Sequence, residues 1–186
     1  MRSRVQQLIG GRAHKIWTIV VFVILASLDN AAIAIVPAMI LPTAEALNTS
    51  SRALGFMTGT VILVTAVTSV GWGYWGDRSD RKRLLFLGTL VWVAGSWLSA
   101  GATSYAMLFM WQVVMAVGLG AIATVGFSVI SDFVSPRRRG LAMSFWGLSQ
   151  GIGGLFGAYL ASQAGAADFS APLRVIAVLG GVFAVL

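Results

Sequence analysis

The chain has 186 residues, of which 58% are hydrophobic and 10% charged, with a formal net charge of +7 and no cysteine. A soluble domain carries about 25% charged residues, so this composition excludes an ordinary water-soluble fold and makes lipid the natural solvent. The missing cysteines exclude a disulfide framework, a thiolate metal site and a cysteine nucleophile. The basic excess lies in short clusters between apolar runs, with no continuous basic face, which argues against nucleic acid as a partner.

In chain order, residues 1–15 carry Arg2, Arg4, Arg12 and Lys15 and no acid, and form a basic lead-in. The apolar run that follows is too long for a signal h-region and reads as a retained first helix over 16–40, interrupted only by Thr18, Ser27, Asp29 and Asn30 and ending near Pro37 and Pro42. Residues 43–51 form a polar loop whose Thr49-Ser-Ser51 is suited to cap the next helix. A second helix is predicted over 53–76 and is followed by the charged turn 77–83. The uncharged stretch from Leu84 to Ser131 is too long for one span and must fold back. The small, polar Gly101-Ala-Thr-Ser-Tyr105 is the natural break. It separates a third helix (84–101) from a fourth (106–130). A second charged turn, 132–139, precedes a fifth helix (140–163), and a sixth (173–186) stops short of a full span.

Eleven of the 13 Lys and Arg fall on the N-terminal side of this layout: Arg2, Arg4, Arg12, Lys15, Arg78, Arg81, Lys82, Arg83, Arg137, Arg138 and Arg139. Only Arg52 and Arg174 fall on the other. By the positive-inside rule the N-terminus is cytoplasmic. The expected setting is a multi-pass protein of a bacterial or archaeal cytoplasmic membrane, with the lipid bilayer as its first partner.

The turn Gly73-Tyr-Trp-Gly-Asp-Arg-Ser-Asp-Arg-Lys-Arg83 concentrates charge between two apolar helices. Gly73 and Gly76 permit close backbone approach. Asp77, with Arg78, Arg81 and Lys82, has the make-up of an interfacial charge network that distinguishes two states of a rocking bundle; simple topology, in which charges stop a helix and set orientation, explains the spacing equally well. This turn resembles the signature loop of the major facilitator superfamily, G-x-L-x-D-R-x-G-R-K, between its second and third helices. The match lies at Gly73, Asp77, Arg78, Arg81 and Lys82, and the departures are Trp75 and Asp80. Asp132, Pro136, Arg139, Gly140 and Ala142 resemble the family's loop between helices four and five, and Asp29 with Pro37 resembles its first helix. The overall run is similar to Spinster-type lipid transporters and to drug-efflux members.

The resemblance implies an all-α membrane protein: a six-helix bundle of two inverted three-helix repeats, forming the N-terminal half of a two-half transporter, with its sixth helix truncated. It implies a secondary transporter, by symport or antiport, working through alternating access on a small molecule. The few charges in the spans favour an amphipathic or apolar solute such as a drug or lipid. The implied partner is the missing C-terminal six-helix half, or a second copy. The alternative is a half-length homodimeric or non-transporting membrane scaffold.

Asp29 is the one acid placed inside a span, and an intramembrane ionisable residue is by default a functional candidate. It reads either as a proton-coupling or gating carboxylate lining a central cavity or as a structural polar pair with Asn30. Gln112, the one large polar side chain of the fourth helix, faces that cavity or bonds a neighbouring helix. Val114 and Ala121 stand where related transporters tend to place an Arg and a Glu, so an Arg-linked proton relay does not carry over. Gly147, Gly151 and Gly154, with Ala158 and Ala161, form a small-residue stripe suited to helix packing. Gly157 closes a Gly153-Gly-Leu-Phe-Gly157 segment that resembles the family's antiporter motif, with Gly154 in place of its Pro. Gly147-Leu-Ser149-Gln-Gly151 fits the G-x-S-x-G nucleophile pattern, but the single histidine, His14, lies in the lead-in, far from Ser149. No enzyme activity, cofactor or metal site is expected.

Overall fold

A computed structural model describes residues 20, 21, 23–126, 128, 139–165 and 168–185. These form the helices α1 (Val23–Ala38), α2 (Ile40–Ala46), α3 (Ser51–Gly76), α4 (Arg81–Ala100), α5 (Tyr105–Ala121) with a π-helical continuation Ile122–Gly126, α6 (Arg139–Ala164) and α7 (Ser170–Val185). Among the described residues, three helices are long and apolar enough to cross a membrane: α3, α4, and α5 together with its π segment. The bent pair α1–α2 makes a fourth if taken as one span. At 26 residues α6 has the length, but its serines, glutamine and glycines dilute its hydropathy.

The first helix differs from the single 16–40 span expected. It turns by 65° between α1 and α2. Pro37 and Pro42 each lack an N–H, so two rungs of the hydrogen-bond ladder are missing on either side of the bend. Met39 N–H reaches back to both the Ile35 and Val36 carbonyls, at 3.1 and 3.3 Å. The turn after α2 contains Asn48, whose φ of 48° lies in the left-handed region that Asn tolerates. The Thr49 N–H then returns to the Ala44 carbonyl at 2.9 Å.

Three helices begin at a side-chain cap, which satisfies amide groups that have no partner within the helix. Ser50 accepts from Ala53 N–H, Asp80 from Lys82 N–H and Ser104 from Met107 N–H. The Asp80 cap starts α4 at Arg81, three residues earlier than the apolar run suggests.

In lipid, helices associate through close packing and interhelical hydrogen bonds, and both are present. Gly88 and Gly95 of α4 and Gly118 of α5 leave no room for a β-carbon: at Gly95 it would lie 2.5 Å from Met115 N, and at Gly118 2.5 Å from the Gly88 carbonyl oxygen. Trp92, fully buried, covers Gly118 on one side and Gly180 of α7 on the other. α3 and α5 are joined by Tyr105 Oη to the Ala53 carbonyl (3.0 Å), Thr65 Oγ1 to the Ala116 carbonyl (3.3 Å) and Trp72 Nε1 to the Val117 carbonyl (2.7 Å). Ser96 Oγ donates to the Leu173 carbonyl and ties α4 to α7.

α1 and α6 meet along a different set of small residues from the stripe read in the sequence. A β-carbon on Gly153 would overlap the Ser27 carbonyl, and one on Gly157 the Ala31 carbonyl. Gly147, Gly151 and Gly154 have nothing within 4 Å of that position. The inward face of α6 runs through Trp146, Ser149, Gly153, Gly157 and Ala161, all buried. Of the predicted packing glycines, Gly157 alone lies on it. The two stripes interleave along one helix, and only the position of α1 decides between them.

Candidate functional site

Two features carry polar chemistry: the charged turn after α3, and Asp29 within α1.

The turn is seated on the π-helical end of α5. Gly73 and Gly76 lie where side chains of the π segment press against α3: a β-carbon on either would stand 3.2 Å from Thr124 Cγ2 or Val125 Cγ2 respectively. Asp77 follows as the C-cap of α3. Arg81 returns from α4, its Nε donating to the Gly76 carbonyl at 3.3 Å and its Nη2 3.7 Å from Asp77 Oδ1. A cation there complements the negative end of the α3 dipole. The Asp77 side chain is 79% exposed, so the ion pair itself contributes little in water. The Arg78 guanidinium stands 3.6 Å over the Tyr74 ring, a cation–π contact between residues one helical turn apart. Asp80, at the position where the family pattern has Gly, caps α4 and pairs with Arg83 Nε at 3.5 Å. Lys82 is exposed. Arg139 is exposed at the start of α6, and Asp132 lies outside the described residues.

Asp29 is 6% exposed, deep in α1. Asn30 Nδ2 donates to Asp29 Oδ1 and to the Ala26 carbonyl, each at 3.0 Å. Asp29 and Ile33 share one face of α1, a turn apart. Ile33 forms one wall of a laterally open cleft of about 260 Å³. The other walls are Val61, Ile62, Thr65, Ala66 and Ser69 of α3, with Ala123 of the π segment at its base. The lining is apolar except for two hydroxyl-bearing residues.

Gln112 does not join this group. It is 3% exposed, and its Nε2 donates to Ser99 Oγ of α4 at 3.2 Å. Ser99 passes the chain of bonds to the Gly95 carbonyl at 2.7 Å. This bond joins α5 to α4. Ser149 is buried, with its hydroxyl donating to the Trp146 carbonyl at 2.7 Å, as a helical serine does when it bonds its own backbone.

Sequence reasoning missed the glycines of α4. Gly88 and Gly95 are seven residues apart, on one face with the buried Ser99, and that spacing was the available signal.

A family model described as Major Facilitator Superfamily matches residues 18–186. An "MFS-type transporter" of Aspergillus terreus is 34% identical over 104 residues, which are 53% of this chain and 19% of that protein. The galactose-proton symporter of Escherichia coli K12 is 27% identical over 121 residues, 65% of this chain and 26% of the symporter. Among solved structures, a bacterial homolog of the human lysosomal transporter Spinster, inward-facing and occupied, superposes with a TM-score of 0.81 at 16% identity, covering 91% of this chain and 42% of that one. The fold is shared, and the chain spans less than half the length of each of these proteins.

Proposed function

The chain belongs to the Major Facilitator Superfamily, and on that footing we propose that it forms one six-helix half of a secondary active transporter that moves an amphipathic or apolar small molecule by alternating access. The match of the family model over residues 18–186 carries the reading. The second half of the machine is a C-terminal six-helix unit or a second copy of this chain, and the N-terminus faces the cytoplasm.

In this reading the cleft between α1 and α3 is this half's share of the solute path. Its wall of Ile33, Val61, Ile62 and Ala66 receives apolar surface, and Thr65 and Ser69 offer hydroxyls to a polar end. Asp29, one turn from Ile33, is the coupling or gating group. A carboxyl that is enclosed in one state and reached by water in another links its proton to the change of state. Asn30 holds one carboxyl oxygen and fixes its direction. The turn Asp77–Arg83 acts at the cytoplasmic end, where Arg81 bonds both the last turn of α3 and Asp77, so that breaking the turn favours one state over the other.

The test is flux of ethidium and of a lysophospholipid in proteoliposomes holding the full-length protein. Asp77→Ala is expected to lower flux at least tenfold, and Asp29→Asn to lower proton-gradient-driven flux to the same extent, while leaving folding intact. Wild-type flux in both variants would remove the assigned roles.

A further inference from the structure

The span made by α5 changes its hydrogen-bond register at Ile122–Gly126, where π-helical bonding places one extra residue in the turn. This segment is engaged on several sides. The Thr124 hydroxyl lies 2.9 Å from the Ser69 carbonyl of α3 and 2.7 Å from the Gly120 carbonyl of its own helix. It has one proton, so it donates to one of them at a time. The methyl groups of Thr124 and Val125 press on α3 at Gly73 and Gly76. A β-carbon on Gly126 would stand 3.2 Å from Trp146 Cη2 of α6. The π segment is therefore where the last turn of α3, the end of α5 and the start of α6 touch, directly behind the turn that carries Asp77 and Arg81.

A π turn is an α turn with one residue inserted. With 3.6 residues per α turn, moving between the registers rotates the residues beyond the insertion by about 100°. Such a rotation carries the Thr124 hydroxyl off the Ser69 carbonyl and Val125 off Gly76 in one step, while the own-helix bond to Gly120 survives as the ordinary back-bond of a helical threonine. In the π register both acceptors of Thr124 are within reach; in the α register only the Gly120 carbonyl remains. Gly73 and Gly76 supply the clearance that lets Thr124 and Val125 slide past α3, because neither presents a side chain to block them. Ala123 is exposed, so its deletion restores the α register without removing a buried side chain.

We propose that Ile122–Gly126 is a two-register switch: in the π register it clamps the last turn of α3, and with it the charged turn 77–83, against the end of α5, and in the α register it releases them. The switch is a property of this half alone and stands apart from the transport reading, because its readout is a distance and not a flux.

This chain has no cysteine, so with any cysteine outside it replaced, a pair of nitroxide labels at Ser79→Cys and Leu148→Cys, both exposed positions, reports on the charged turn and α6. Pulsed electron–electron double resonance on the full-length protein in lipid nanodiscs is expected to give two distance populations. Deleting Ala123 is expected to leave only one of them. Thr124→Val keeps the branched shape and loses the hydroxyl, and is expected to shift the ratio toward that same population at least twofold, with Thr124→Ser restoring the original ratio. A single population common to the wild type, the deletion and Thr124→Val overturns the switch. If the deletion variant does not fold, Thr124→Val decides alone: a distribution that superposes on the wild type overturns the proposal.

Discussion

Gly157 of α6 lies so close to the Ala31 carbonyl of α1 that a β-carbon on it would overlap that carbonyl, and Gly153 stands in the same relation to Ser27 one turn earlier. These two contacts hold the helix bearing Asp29 against α6. Overpacking a tight site costs about 1–3 kcal/mol. Gly153→Val and Gly157→Val are therefore expected to lower the thermal unfolding midpoint in detergent and to reduce monodisperse yield. Gly147→Ala, Gly151→Ala and Gly154→Ala, whose β-carbons meet nothing within 4 Å, are expected to leave both unchanged. Equal stability across the five variants would contradict the packing described.

Gln112 bridges α5 to Ser99 of α4. Interhelical side-chain hydrogen bonds in membranes contribute about 0.6 kcal/mol on average and up to about 1.7. Gln112→Leu is expected to destabilise by roughly 1 kcal/mol and to leave the apparent affinity for ethidium unchanged. Equilibrium unfolding in mixed micelles and a binding titration separate the two effects. A change in affinity at constant stability would return Gln112 to the solute path.

The Trp72 indole donates to the Val117 carbonyl at 2.7 Å, just ahead of the charged turn. Trp72→Phe keeps an aromatic ring there and removes the donor. The expected cost is about 1 kcal/mol, read as a lower unfolding midpoint together with faster amide exchange in the last turns of α3. Unchanged exchange there would show that the bond does not hold this end.

Asp168 stands just before α7. The Ser170 hydroxyl and amide both donate to its carboxylate at 2.8 Å, and these bonds, the side-chain one first, hold its pKa below the ordinary carboxylate value. The depressed folded value means that the stabilisation is present above the unfolded pKa of about 3.9. It is lost as pH falls through the lower, folded pKa. Asp168→Asn is expected to weaken the acid-side dependence of the unfolding midpoint below about pH 4 and to lower stability at neutral pH. An identical acid limb in the variant would refute the assignment.

Much of the fold was legible because lipid imposes a simple rule: runs without charge must be helices long enough to cross, and breaks need small or polar residues. The gap between α4 and α5 falls at Gly101-Ala-Thr-Ser104 for that reason. The bend at Met39 was less legible, since Pro37 and Pro42 signal an interruption but not its angle. Which stripe of α6 glycines packs could not be read from the sequence. Gly154 and Gly153 are neighbours on one helix, and their roles depend on where α1 lies. The same holds for Gln112, whose partner Ser99 comes from another helix. The π register at the end of α5 left no mark that composition or periodicity could show. Asp29 was legible as an exception, one acid in an apolar run beside Asn30, and the structure adds the 3.0 Å bond between the two and its place one turn from Ile33 of the cleft.

The account rests most heavily on Asp29 as the group that links a proton to solute movement. The direct measurement compares proton-gradient-driven accumulation of ethidium with its exchange at equal concentration across proteoliposomes, for the full-length wild type and Asp29→Asn. The account predicts that Asp29→Asn loses accumulation and keeps exchange, because the variant still changes state but no longer carries the proton. Accumulation at the wild-type level in Asp29→Asn would contradict it.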